Sequence, residues 1–232
     1  MARQITAAEA AALIGDGKTV AVDGFIGFSL ADDILCEVEE RFLRDGRPRD
    51  QRPENVAGLG GDGVRRGINH FAHRGMVSRL FCSNLSLANS IYPNVSRGDF
   101  ALFMAPQGVM SHMMRAIAGK KAGVVTEVGL GTFVDPRRDG CRMNRKAWDS
   151  GEEVVQLVRL GGKEQLFFPS FGLDVCIIKG STADENGNIS MENEAFLLEQ
   201  YDMAAATHNS GGLVLVQVDR MVPAQTMNAK DV

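Results

Sequence analysis

Apolar and polar positions along the chain alternate in two rhythms, a short β-branched one and a longer helical one. Residues 6–14 place Ala, Leu and Ile at helical spacing behind Thr6, with Glu9 three positions on, which predicts a helix opened by a capping box. Asp16-Gly17 ends it, and "KTVAVDGF" predicts a short strand running into a turn. In "SLADDILCEVEERFLRDG" the residues Ile34, Leu35, Val38 and Phe42 fall on one stripe. A second helix is expected there, capped by Ser29 and closed by Gly46. "ENVAGL", "RLFCSN" and "FALFMA" read as short strands, and "GVMSHMMRAIAG" as a helix with Gly119 past its end. "AGVVTEVGL" reads as a strand entering a glycine loop, while "DVCIIKGST" and "GLVLVQVDRMV" are β-branched runs of the fully buried kind.

Strands that alternate with helices predict an α/β fold, a largely parallel sheet with helices on both faces. The pattern treats residues 1–232 as one domain. After the last apolar run comes "AQTMNAKDV", with no closing helix. The expectation is that another chain completes the assembly or that the sequence continues into a second half.

Composition narrows the function classes. Apolar residues make up 44% and charged residues 23%, the balance of a globular domain. A net charge of −4 gives no electrostatic footprint for nucleic acid, so no nucleic-acid partner is expected. The basic residues of "RFLRDGRPRDQR" alternate with acids and read as a solvated helix end and loop. No apolar stretch reaches the ~18 residues of a membrane span, and the N-terminus lacks the apolar core of a secretory signal. Cys36, Cys82, Cys141 and Cys176 are far apart, with no metal spacing; Cys82 and Cys176 sit in apolar runs as small hydrophobes. A reducing, cytoplasmic compartment is inferred.

The candidate chemistry lies in glycine loops. "DGFIGF", "GLGGDG", "APQG" and "VGLGTF" each follow a strand, where loops of an open α/β sheet line the binding crevice. Gly58, Gly60 and Gly63 fit a dinucleotide fingerprint, but "VRRGINH" follows and no acid stands near Ser83, so a nicotinamide site is not expected. His70 and His73 could share a helix face, yet no further ligand stands at zinc spacing, and they read as a packing or surface pair. His112 lies in the helix after "APQG" without an orienting acid, and Met110, Met113 and Met114 read as core. No G-x-S-x-G elbow offers a hydrolase nucleophile. In "STADENGNISMENEA", Glu185 precedes Asn186-Gly187; it could be a nucleophile presented on a tight turn, or an acid on a plain hairpin.

Taken together, the loops resemble the family I coenzyme A transferases. "DGKTVAVDGFIGF" is similar to that family's N-terminal signature, with Asp23 where the first glycine of Gly-Gly-Phe usually sits and with Ser29 and Ala31 in place of Gly and Pro. "APQGVMSHMMRAIAGKKAGVVTEVGLGTFVDPR" resembles the acetate/propionate branch more closely, and "NVAGLGGDGVRRGINHFAHRGMVSRLF" and "KGSTADENGNISMENEA" share its style. Residues 82–104 lack that branch's Gly-Gly-His-Trp-Gly-like segment.

The resemblance implies the α-type half of an enzyme of short-chain fatty acid metabolism, moving CoA between an acyl-CoA and a small carboxylate. It implies no permanently bound cofactor and no metal, a β-type half fused or separate, a higher oligomer, and no membrane partner. It places the nucleophilic glutamate in the β-type half and matches "TADENGNISME" to the α-type half's own turn, so Glu185 is read as a turn acid. The chemistry it implies begins with attack of a glutamate carboxylate on the thioester carbonyl, expelling CoA thiolate and leaving an acyl-glutamyl anhydride. The thiolate then attacks the glutamyl carbonyl and releases the carboxylate product. An acceptor carboxylate next takes over the CoA by the same two steps in reverse. Each tetrahedral intermediate needs oxyanion donors. For these the resemblance offers the Gln107 amide, backbone N–H groups at Gly108 and the Gly24-Phe25 turn, and close approach at Gly129 and Gly131. Two rivals are a CoA-thioester hydrolase or lyase on the same fold and a non-catalytic ligand sensor.

Overall fold

The computed structural model describes residues 2–55 and 65–227. The first helix, α1 (Ala7–Ala12), opens on the expected capping box: the Glu9 N–H donates to the Thr6 hydroxyl and the Thr6 N–H donates back to Glu9. Next come β1 (Thr19–Val22), α2 (Asp32–Asp45), β2 (Arg52–Asn55), a 3₁₀ turn (Gly67–Phe71), β3 (Arg79–Cys82), α3 (Tyr92–Arg97), β4 (Ala101–Met104) and α4 (Gln107–Ala118). A second stretch holds β5 (Gly123–Thr126), α5 (Arg145–Asp149), β6 (Gln156–Leu160) and β7 (Lys163–Pro169). The last stretch holds β8 (Val175–Lys179), β9 (Thr182–Asp184), β10 (Ile189–Ser190), α6 (Gln200–Asn209), β11 (Leu213–Gln217) and β12 (Arg220–Val222).

Six strands form a parallel sheet in the order β11-β8-β1-β2-β3-β4. Strand side chains alternate between faces, and each face has its own core. Val20 and Val22 of β1 with Val175 and Ile177 of β8 face α1, α2 and α3, meeting Ile34, Leu35 and Phe71. Ala21, Cys176 and Ile178 face the other way, toward Met110 and Met113 of α4, Met203 of α6 and Phe168 of β7. Burial on both faces explains why these strands are continuous apolar runs. The sheet grows from β1 in one direction through β4 and in the other through β8, so its topological switch lies beside β1, where such folds place their crevice.

Several expectations are corrected. Helix α2 begins at Asp32 and its N-cap is Ala31, so Ser29 does not cap it; Ser29 sits at φ 50° in the preceding turn and donates to the Phe196 carbonyl at 3.3 Å. Asp32 and Asp33 complement the positive helix start instead. "AGVVTEVGL" leaves the parallel sheet: β5 pairs antiparallel with β7, which pairs antiparallel with β6. "GLVLVQVDRMV" is two strands, β11 beside β8 and β12 beside β9. The bend between them is held by Lys179 Nζ, 2.8 Å from Asp219. Helix α6 carries few large apolar side chains and no sequence signal marked it. His70 and His73 do not share a helix, since His73 lies past the 3₁₀ turn. They converge on Glu39 of α2, and His73 stacks on Phe42, a packing pair as read. Cys82 and Cys176 are buried. Among the described residues no helix is long and apolar enough to cross a membrane. The Gly58, Gly60, Gly63 pattern and most of "ENVAGL" lie outside the described residues.

Candidate active site

The carboxyl ends of β1 and β4 bring the predicted glycine loops to one edge of the sheet. β1 passes into a tight turn in which Phe25 N–H donates to the Phe28 carbonyl at 3.0 Å and Phe28 N–H returns to Phe25 at 2.9 Å. Gly24 has φ 132°, and a Cβ there would lie 1.9 Å from Leu30 Cδ2, so only glycine fits. Its own N–H donates to Asp23 Oδ1 at 2.9 Å. Both backbone donors expected in the Gly24-Phe25 turn are therefore already engaged within the chain.

Asp23 itself is buried, and its Oδ2 has no partner among the described residues. Burial pushes its carboxyl up to about 7; the Gly24 N–H pulls against this and the nearby Glu199 charge adds to it. Sequence reasoning passed over this residue as a departure from pattern. Its signal was a carboxylate directly after the apolar run "TVAV".

β4 leads through Ala105-Pro106 into α4. The N–H groups of Val109 and Met110 both reach the Pro106 carbonyl, at 2.9 and 3.2 Å. Those of Gln107 and Gly108 meet no acceptor among the described residues, as expected of the first turn of a helix. Both residues are exposed, and the Gln107 side-chain amide is likewise without a partner among the described residues. The start of α4 thus offers two backbone N–H donors, one amide and the positive end of a twelve-residue helix. Three strand spacings, about 14 Å, separate β1 from β4. Helix α4 shortens that gap: Ser111, one turn after Gln107, donates to Glu199 just ahead of α6, and Glu199 is the charge felt by Asp23. Arg115 to Asp202, at 2.7 Å, fixes α4 to α6 a turn further on. His112 is exposed on α4 and Met110, Met113 and Met114 are buried beneath it.

Gly129 and Gly131 lie in the loop after β5. At φ 101° a Cβ on Gly129 would meet Val134 Cγ1 at 2.9 Å. The Gly131 N–H donates to Asp135 Oδ2 at 2.8 Å. The Arg137 guanidinium holds the Asp135 carboxyl well below the usual carboxylate range, and the Gly131 and Arg137 N–H groups add to this. This loop returns to β4, where Met104 N–H donates to the Cys141 carbonyl at 2.9 Å. Among the described residues no hydrogen bond joins Gly129 or Gly131 to Gln107 or Gly24.

Around the β1 turn the surface is apolar. Phe196 packs edge-on against Phe25 and Phe28, with centroids 5.6 and 5.7 Å apart. Ile26, Phe28, Phe196, Leu197 and Tyr201 are all exposed. Glu185 is exposed on the β9–β10 hairpin, where its Oε2 accepts from Ala224 N–H at 3.3 Å.

Comparison with known proteins places this geometry in context. A family model described as Coenzyme A transferase matches residues 4–232. The chain is 38% identical over its whole length to the caffeate CoA-transferase of Acetobacterium woodii, of which it covers 44%. It is 22% identical over 225 residues to the acetate CoA-transferase subunit alpha of Escherichia coli (strain K12), covering 94% of this chain and 86% of that one. Among solved structures, the acyl-CoA transferase YdiF of Escherichia coli O157:H7, in a thioester complex with CoA, superposes with a TM-score of 0.94 at 30% identity. That match spans 98% of this chain and 46% of the other. The chain thus spans less than half the length of the caffeate enzyme and of YdiF.

Proposed function

The chain belongs to the coenzyme A transferase family, and from that premise we propose that it is the α-type half of an enzyme moving CoA between a short-chain acyl-CoA and a carboxylate acceptor. The observation that carries this reading is the start of α4. There the Gln107 amide and the N–H groups of Gln107 and Gly108 stand, unpartnered among the described residues, at the carboxyl edge of the sheet. Such donors stabilise the oxyanion that forms when a carboxylate attacks a thioester. Gln107 is the catalytic contact and Gly108 leaves its N–H unobstructed, with open space where a Cβ would lie. Gly24 and Phe25 serve by shape, since their N–H groups are taken: the turn they form walls the crevice beside Phe196. Gly129 and Gly131 let their loop fold close to the end of β4.

The nucleophile is a glutamate of a β-type half, on another chain or beyond Val232. It attacks the acyl-CoA carbonyl and expels CoA thiolate, which then attacks the glutamyl carbonyl of the anhydride and releases the product carboxylate. The acceptor repeats both steps in reverse. The exposed apolar cluster of Ile26, Phe28, Phe196, Leu197 and Tyr201 is the surface that half covers. No cofactor is held between turnovers, and the compartment is the cytoplasm.

The test is product analysis after joining the chain to a β-type half. With an acyl-CoA donor and acetate, transfer yields acetyl-CoA without net loss of thioester. Free CoA accumulating in step with donor loss assigns a hydrolase, and saturable binding without turnover assigns a sensor.

A further inference from the structure

At the opposite end of the sheet from α4's start, by the amino ends of β1, β2 and β3, lies a cavity of about 360 Å³. This is the small end of the ~300–1,000 Å³ range of small-molecule pockets. Its polar wall contains Arg52, Glu54, Arg79, Glu152 and Ser170. Glu54 and Arg79 are 0% and 6% exposed and pair with each other. Arg79 is held flat over Phe81 and Phe103, its guanidinium carbon 5.2 and 5.4 Å from the ring centroids. Its Nε lies 2.8 Å from Glu152 Oε1, a charge contact at an angle that leaves the N–H without a hydrogen bond.

Six buried side-chain polar atoms among the described residues have no hydrogen-bond partner, and three of them, Glu54 Oε2, Arg79 Nε and Ser170 Oγ, belong to residues lining this cavity. Each such atom left bare is destabilising, and nothing in the site above uses them. Arg52 adds a spare cation: its side chain is 42% exposed and only one guanidinium nitrogen meets Glu152, at 3.0 Å. Three carboxyl groups, Glu54, Glu152 and Glu153, share the lining with the two guanidiniums. A ligand that fits must carry a cationic donor for Glu54, an anion for Arg52, and an apolar body for Phe81, Met113 and Phe171.

The geometry points to a binding site for a free α-amino acid with an apolar side chain. Its ammonium donates to Glu54 Oε2 and Ser170 Oγ, its carboxylate accepts from Arg52, and its side chain packs on Phe81 and Met113. An amine alone leaves Arg52 unmatched, and a simple carboxylic acid leaves Glu54 bare. The site is independent of the transfer chemistry and sits at the other end of the strands.

Titration calorimetry of the chain joined to its β-type half, with L-leucine, 3-methylbutylamine and 4-methylpentanoate, tests it. Leucine is expected to bind saturably with a dissociation constant near or below ~1 mM, and each one-headed analogue at least about tenfold more weakly. Ser170→Ala removes a hydroxyl with no partner among the described residues and Arg52→Gln removes a half-exposed charge, so both variants should keep the wild-type Tm while weakening leucine about tenfold or more. No saturable leucine binding to the folded wild type, or equal binding by wild type and both variants, or an analogue as tight as leucine, overturns the proposal.

Discussion

Asp184 and Asn188 close the turn on which Glu185 rides. The Asn188 N–H and side-chain amide each donate to the Asp184 carboxylate at 2.9 Å, and the Asp184 N–H donates to the Asn188 carbonyl at 3.0 Å. The Asn186 N–H adds a third bond to that carboxylate. These bonds, the Asn188 side chain foremost, keep the Asp184 carboxyl below its ordinary range. Gly187 completes the turn at φ 86°, and a Cβ there would lie 2.6 Å from Ala2 Cβ. Gly187→Val should therefore lower the Tm clearly, whereas Glu185→Gln, at an exposed position, should change stability by no more than ~0.5 kcal/mol and leave transfer activity intact. Thermal melts and steady-state rates of the two variants check this.

Gln107→Ala should lower turnover of the joined enzyme by ~10- to 1000-fold, the range for losing one oxyanion donor. The fold should survive, because the side chain is exposed at the first residue of α4 and makes no hydrogen bond among the described residues. A kcat close to wild type at an unchanged Tm would remove Gln107 from the mechanism.

The edges of this site were legible in the sequence and its wiring was not. "APQG" marked the start of α4 because proline, a polar residue and glycine ahead of an amphipathic run announce a helix beginning. "ENG" marked a hairpin. That the Gly24 and Phe25 N–H groups are engaged was not legible, because their acceptors are the Asp23 side chain and the Phe28 carbonyl, whose directions no pattern fixes. The Ser111–Glu199 link spans 88 positions and joins two helices, one of which, α6, has too few large apolar residues to show a helical stripe. That β5 joins a separate antiparallel sheet was not legible, because a β-branched run gives the same signal whichever sheet receives it.

Asp23 gives stability a pH dependence of definite sign. Its carboxyl titrates near 3.8 when unperturbed and about 7 when buried here. The folded state thus holds a proton that the unfolded state has released, and stability falls as pH rises through that window. Glu54, raised to about 7 by burial against the opposing pull of Arg79, acts in the same direction. Asp23→Asn should flatten the decline of Tm between about pH 4 and about pH 7. A wild-type Tm that rises over that range, or one the substitution leaves unaltered, would contradict the burial account.

The apolar rim predicts how the isolated chain behaves. With Phe28 at 51%, Leu197 at 77% and Tyr201 at 82% exposed, the chain alone should self-associate and a β-type half should solubilise it. Phe28→Ser with Leu197→Ser should reduce self-association and weaken pairing together. Sedimentation velocity reads both effects, and a monodisperse wild-type monomer indifferent to the β-type half would count against the rim as an interface.

The central claim is a division of labour: this chain supplies oxyanion donors at α4 and the covalent glutamate comes from the other half. Trapping tests it most directly. The joined enzyme is incubated with acyl-CoA and then borohydride, which reduces a glutamyl-CoA thioester, and the modified residue is mapped by peptide mass analysis. The account predicts one modified glutamate, outside residues 1–232, and none when this chain is treated alone. A label on Glu185, or any thioester trapped on this chain by itself, would contradict it.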